Sequence, residues 1–216
     1  MSPLTLYSAP GTCAQATHIA LLEAGAPFEL VQLDFAQQAQ RSAAYLALNP
    51  KGRVPALQTE HGLLTETPAL LAYIAQRFPA ARLAPLGDAF AFARLQEFNS
   101  YLASTVHVAH AHGRRGARWS DDAAVHESMR AKVPQNMREA FAYIEAHYLP
   151  EGSDWALGQD YSVADAYLYT VTGWLPSDDV AIEEFPKVAA HYARMSVRPA
   201  VQQALAQAQT CAPRLL

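Results

Sequence analysis

The chain has 216 residues, 51% hydrophobic and 17% charged, and 16 Lys and Arg against 20 Asp and Glu leave a formal net charge of -4. This composition fits a globular protein of one large or two small domains, each able to bury a core without disulfide or metal staples. It excludes a general electrostatic footprint for nucleic acid or anionic lipid. No apolar run reaches the roughly 18 to 20 residues of a membrane span and the N-terminus lacks a secretory pattern, so a cytoplasmic protein is expected. Two cysteines, Cys13 and Cys211, are too few for a disulfide framework and fit a reducing compartment.

In chain order, residues 4–7 predict a short strand, the Ala9-Pro10-Gly11 turn leads into a helix ending near Gly25, and residues 28–34 predict a second strand. Its nearly continuous apolar character suits burial on both faces, and the order strand, helix, strand implies a parallel pair. After an irregular stretch, residues 56–59 and 63–65 flank Glu60-His61-Gly62 as a hairpin, and Leu71, Ile74 and Phe78 recur at helical spacing. Residues 1–80 therefore read as βαβ followed by ββα. Two prolines and a glycine in residues 79–87 suit a linker.

Residues 88–216 read as all-helical, with apolar stripes at Leu95, Phe98, Leu102 and Val106, at Met137, Phe141, Ile144 and Tyr148, and at Val163, Tyr167, Thr170 and Trp174. Pro134 interrupts residues 121–148, which predicts two helices or one kinked helix. Further helices over 185–196 and after Pro199 complete the domain. The fold class is α/β followed by all-α.

Three short constellations carry chemistry. Thr12-Cys13-Ala14-Gln15 reads as a capping box that makes Cys13 the first helical residue. There the positive end of the helix dipole favours thiolate over thiol and can lower a cysteine pKa from about 8.5 by about one unit or more. The plainer reading is a small buried hydrophobe. Val54-Pro55 stands just before a strand, where a cis bond would leave main-chain groups outside the ladder to pair with an extended peptide; a proline that merely begins a strand is the alternative. Thr67 is a natural N-cap with Pro68 at the first helical position. A helix N-terminus binds carboxylates and Glu66 can pair with an ammonium, so the two suit an amino-acid group, unless Glu66 is only a favourable charge near the dipole. Together the three sites suggest a small thiol peptide as ligand.

Tyr7-Ser8-Ala9-Pro10-Gly11-Thr12-Cys13, Asn49-Pro50-Lys51-Gly52-Arg53-Val54-Pro55-Ala56-Leu57 and Leu64-Thr65-Glu66-Thr67, in this order and spacing, resemble the N-terminal domain of bacterial glutathione transferases, closest to the cysteine-containing beta class. Residues 158–165, with Ser162 and Asp165 as a capping box, resemble a structural helix start in the family's second domain. The resemblance implies a thioredoxin-like domain over 1–80, a helical domain over 88–216 that carries the co-substrate site, and a homodimer. It implies that Cys13 lies beside the glutathione sulfur and can form a mixed disulfide with it. Val54 would pair with the cysteinyl backbone, Pro55 would be cis, and Glu66 with Thr67 would hold the γ-glutamyl end, with Lys51 and Arg53 as further glutathione-binding residues. His107 resembles the histidine that faces the thiol across the cleft, and an apolar electrophile would rest against Tyr101, His107 and Val108.

Two departures from the family pattern stand out: Ala14 replaces a hydroxyl residue after the cysteine, and Thr67 replaces Ser or Gly after the glutamate. Ser8 ranks far below Cys13 as a catalytic group, and Tyr7 is expected in the core. The implied function is conjugation of glutathione to an apolar electrophile, with glutathione-dependent disulfide or peroxide reduction as an extension. The alternative is a non-catalytic carrier or interaction protein of the same fold. No metal is expected: His107 and His110 share a helix face but His112 does not, and no carboxylate stands at a matching offset. Arg114, Arg115 and Arg118 beside Trp119 read as a solvated helix end, with an anion site or a dimer contact as the other uses.

Overall fold

Alternate residues of Leu4–Ser8 are buried, as one strand face packed on a core requires, and this strand (β1) is an inner member of a four-stranded sheet. The computed structural model describes residues 4–214. They divide into two units, the described part of Met1–Ala89 with Ser196–Leu216, and Phe90–Met195.

In the first unit β1 is followed by α1 (Ala14–Glu23), β2 (Phe28–Gln32), α2 (Ala43–Leu48), β3 (Ala56–Thr59), β4 (Gly62–Thr65) and α3 (Thr67–Arg77). The sheet order is β2-β1-β3-β4, with β1 parallel to β2 and the other pairs antiparallel. This is the expected thioredoxin-like arrangement. Register places the chemistry. Tyr7 pairs with Ala56 and Ala56 with Thr65, so the end of β1, the start of β3 and the end of β4 meet at one end of the sheet. The Cys13, Val54-Pro55 and Glu66 segments all leave the sheet there.

The second unit holds α4 (Ala89–Tyr101), a π-helical turn over Leu102–Val106, α5 (His107–Arg114), α6 (Ala123–His147), α7 (Val163–Thr172) and α8 (Pro186–Ser196). All three sequence stripes are buried, from Leu95 through Trp174. Pro134 lies inside a continuous α6, whose N-terminus is capped by Asp122 accepting from Ala124 N–H at 2.8 Å. The capping box of α7 is present: Ser162 N–H donates to Asp165 Oδ2 at 2.7 Å, and Ser162 Oγ accepts from Ala164 N–H. Asp165 Oδ1 also accepts from Ala156 N–H at 2.7 Å and lies 2.9 Å from His191 Nε2.

The last helix, α9 (Pro199–Thr210), belongs to the first unit and packs on α1. Buried His18 of α1 sets its Nε2 2.7 Å from Gln207 Oε1 and its ring edge-on to Phe28, while Arg198 grips Glu23 through two bonds of 2.7 and 2.9 Å.

Candidate functional site

The loop entering β3 is held by Tyr45, outside the motif the loop carries, and by Asn49, the first residue of that motif. Buried Tyr45 donates its hydroxyl to Arg53 O at 2.7 Å, and buried Asn49 donates Nδ2 to the same oxygen at 2.8 Å while its Oδ1 accepts from Lys51 N–H. Gly52 makes the turn at φ +58, with Arg41 Nη1 and Gln40 O only 3.0 Å from where a Cβ would stand. So anchored, the chain passes through a cis Val54-Pro55 bond, as expected. Val54 N–H meets no acceptor among the described residues, and Val54 O faces the sulfur of Cys13 at 3.6 Å. Sequence reading missed Tyr45, which lies four residues upstream of the motif, and gave Asn49 as part of the motif without this anchoring role.

Cys13 is 7% exposed and stands one position before the helix it was expected to begin. The predicted capping box does not form, because the preceding turn captures its hydroxyl. Thr12 Oγ1 donates to Ala9 O at 2.6 Å and accepts only a 3.4 Å approach from Ala14 N–H, so Cys13 itself occupies the cap and α1 begins at Ala14. The N–H groups of Gln15 and Ala16 turn back to the carbonyls of Thr12 and Cys13. Tyr7 packs against Tyr45 in the core as expected, with burial and the Glu29 charge raising its pKa. Ser8 is buried at the end of β1.

Helix α3 starts one residue earlier than predicted: Thr67 is its first residue and Glu66 its cap. Glu66 holds φ +71, ψ 116, a left-handed backbone that costs a non-glycine residue about 1–3 kcal/mol and that clusters at ligand sites. Pro68 lacks an N–H, which leaves Thr67 and Ala69 as the early helix donors. The exposed Glu66 carboxylate pairs with Lys51 Nζ at 2.5 Å, and the same ammonium reaches Thr65 Oγ1 at 2.9 Å. Lys51, Val54-Pro55, Glu66 and Cys13 thus gather at one end of the sheet. Arg53 gives its carbonyl to the scaffold and keeps an exposed side chain.

Within the second unit, Tyr101 donates its hydroxyl to Ala140 O at 3.2 Å among the rings of Tyr143 and Tyr148, and burial with those neighbours pushes its pKa up to about 12. At neutral pH this phenol is a packing and hydrogen-bonding group. His107 begins α5 against Trp174, and Val108 beside it is exposed. His110 stacks on the same Trp174 and binds Asp178, whereas His112 turns to Trp119. Among the described residues no three His, Cys, Asp or Glu side chains cluster as metal ligands, and no helix is long and apolar enough to cross a membrane.

Comparison with known proteins identifies the family. Residues 2–76 match the glutathione S-transferase N-terminal domain and residues 111–208 the C-terminal domain. The chain is 33% identical over 205 residues to glutathione S-transferase GstA of Escherichia coli O157:H7, covering 94% of this chain and 97% of that one. A glutathione transferase homologue from Sulfitobacter, solved with bound glutathione, is 43% identical with a TM-score of 0.92 over 96% of this chain and 99% of its own. The beta-class glutathione S-transferase of Sphingomonas chungbukensis is 31% identical with a TM-score of 0.82, over 94% and 98%. Matched along both domains and over nearly its full length, the chain belongs to the glutathione S-transferase family of enzymes.

Proposed function

We propose that the first unit binds reduced glutathione in extended form, stabilises its thiolate, and transfers that sulfur to an apolar electrophile taken by the second unit. The observation that carries this reading is the meeting, at one sheet end, of Val54 with an N–H unpaired among the described residues, Cys13 at 3.6 Å from its carbonyl, and Glu66 in a left-handed conformation. An added peptide strand pairs with Val54 N–H and with the second lone pair of Val54 O. The γ-glutamyl ammonium pairs with Glu66, and its carboxylate takes Thr67 and Ala69 N–H groups at the positive end of α3. Lys51, now on Glu66, is released to a ligand carboxylate, and Arg53 offers a second cation.

Held this way, the glutathione sulfur lies beside Cys13. Lowering the thiol pKa from about 9 toward about 6 or 7 raises the thiolate fraction at neutral pH about tenfold to a hundredfold, which with proximity is the protein's main contribution. Tyr101, His107 and Val108 are the second unit's co-substrate residues in this reading, and His107 acts in the reaction. The location of Cys13 also favours thiol–disulfide exchange. Its thiolate attacks glutathione disulfide, forms a protein–glutathione disulfide and releases one glutathione thiolate.

The chain works as a homodimer in this account. Phe90 and Val197, 77% and 75% exposed, are apolar surface that a second copy can cover, and sedimentation at twice the chain mass checks it. Conjugation kinetics with a chlorodinitrobenzene test the main reading. Removing the Glu66 charge with Glu66→Gln is expected to raise the KM for glutathione about tenfold or more with a smaller change in kcat, as loss of a charged hydrogen bond of about 1.5–3 kcal/mol requires. An unchanged KM removes Glu66 from the site, and glutathione binding without turnover of any electrophile supports the carrier alternative.

A further inference from the structure

Helix α5 and the 3-10 segment that follows α7 in the second unit build a carboxylate–imidazole pair that the function above does not use. His107 and His110 stand one turn apart on α5, both against the indole of Trp174; the His110 ring lies nearly flat on it, centroids 4.4 Å apart at 19°. The chain then turns through a 3-10 segment, Leu175–Asp178, which brings the carboxylate of Asp178 back to His110. Nδ1 lies 2.8 and 3.0 Å from its two oxygens, and the Asp178 side chain is only 5% exposed. With Nδ1 committed and one ring face covered by indole, Nε2 is the remaining nitrogen. It has no partner among the described residues, and unlike Nδ1 of His191 it is not sealed from solvent.

Resting on the reading that the second unit takes the electrophile, we propose that His110 is a catalytic acid for electrophiles that develop an oxyanion, with Asp178 as its positioning residue. When a glutathione thiolate adds to an enone, a C–S bond forms and the C=C electron pair moves to give an enolate, which must gain one proton. The imidazolium of His110 gives that proton from Nε2–H to the enolate and becomes neutral. The ring regains a proton from solvent, which received one when the thiol ionised, so atoms and charge balance. Asp178 fixes the ring and offsets the imidazolium charge before transfer. An epoxide needs the same proton on its opening oxygen. An aryl chloride does not, because chloride leaves as a stable anion.

The test compares kcat for an alkyl vinyl ketone and for a chlorodinitrobenzene in the wild type, His110→Gln and Asp178→Asn, with folding checked by circular dichroism. General acid catalysis is worth about a hundredfold or more. The ketone-to-chloride kcat ratio is therefore expected to fall about a hundredfold or more in His110→Gln and in the same direction in Asp178→Asn, which keeps the shape but removes the charge. Parallel loss on both substrates, or an unchanged ratio, overturns the proposal and assigns the pair to packing alone. Wild-type protein that turns over neither electrophile sinks the transferase reading and this proposal with it, whereas an unchanged ratio sinks the proposal alone.

Discussion

Gly52 shows how a residue with no reactive group governs the site. Its φ of +58 and the 3.0 Å approach of Gln40 O leave no room for a side chain, and the turn it makes delivers Val54 to the sheet end. Gly52→Ala is expected to cost about 2 kcal/mol, from left-handed strain of about 1–2 kcal/mol and the added clash, and to weaken glutathione binding as well. A urea midpoint and a glutathione titration on one variant check both effects; a stable protein with unchanged binding contradicts the role of the turn. Cys13, Val54-Pro55 and Glu66 were legible in the sequence because each belongs to a short contiguous pattern. The anchoring roles of Tyr45 and Asn49 were not, because each acts by reaching a carbonyl eight or four residues away, and no local spacing encodes that reach.

Elements were legible where burial has a period. The stripes of the second unit predicted its helices, and the short apolar runs and the hairpin predicted the sheet strands. Helix starts were less legible. At α1 the Thr12 hydroxyl has two suitors, and the Ala9 carbonyl wins; at α3 a left-handed Glu66 takes the cap that Thr67 was expected to fill. The short α2 was read as irregular, because six residues carry too little periodicity to stand out and Ser42, which caps it, is also a common loop residue. The capping box of α7 was legible, and the structure extends it: Asp165 serves Ser162, Ala156 and His191 at once. Asp165→Ala leaves several buried donors without an acceptor and is expected to lower stability by about 3–5 kcal/mol, whereas Ser162→Ala costs about 1 kcal/mol. Denaturant unfolding of the two variants checks the ranking, and equal small losses contradict it.

At the scale of the molecule, α9 was predicted as a helix that completes the helical domain, and a stripe alone says that a helix packs and not on what. Its contacts with α1 place it in the first unit, where His18 and Gln207 join the two helices. Burial lowers the His18 pKa below the ordinary 6.5, with the Gln207 hydrogen bond opposing, so the folded state prefers the neutral ring. Above 6.5 the ring is neutral in both states and its contribution is complete; as pH falls below 6.5 the unfolded chain takes up the proton first and stability is lost toward the folded-state pKa. The drop in urea midpoint between about pH 7.5 and about pH 5.5 is expected to be smaller in His18→Gln than in the wild type, and an equal drop assigns that pH dependence to other groups.

The central claim is that one end of the sheet grips an extended thiol tripeptide. Isothermal titration of reduced glutathione into the folded protein tests it most directly. The account predicts saturable heat at one tripeptide per chain with a dissociation constant between about 1 μM and about 1 mM. A flat titration at concentrations about tenfold above that range, on protein with an intact unfolding transition, contradicts it.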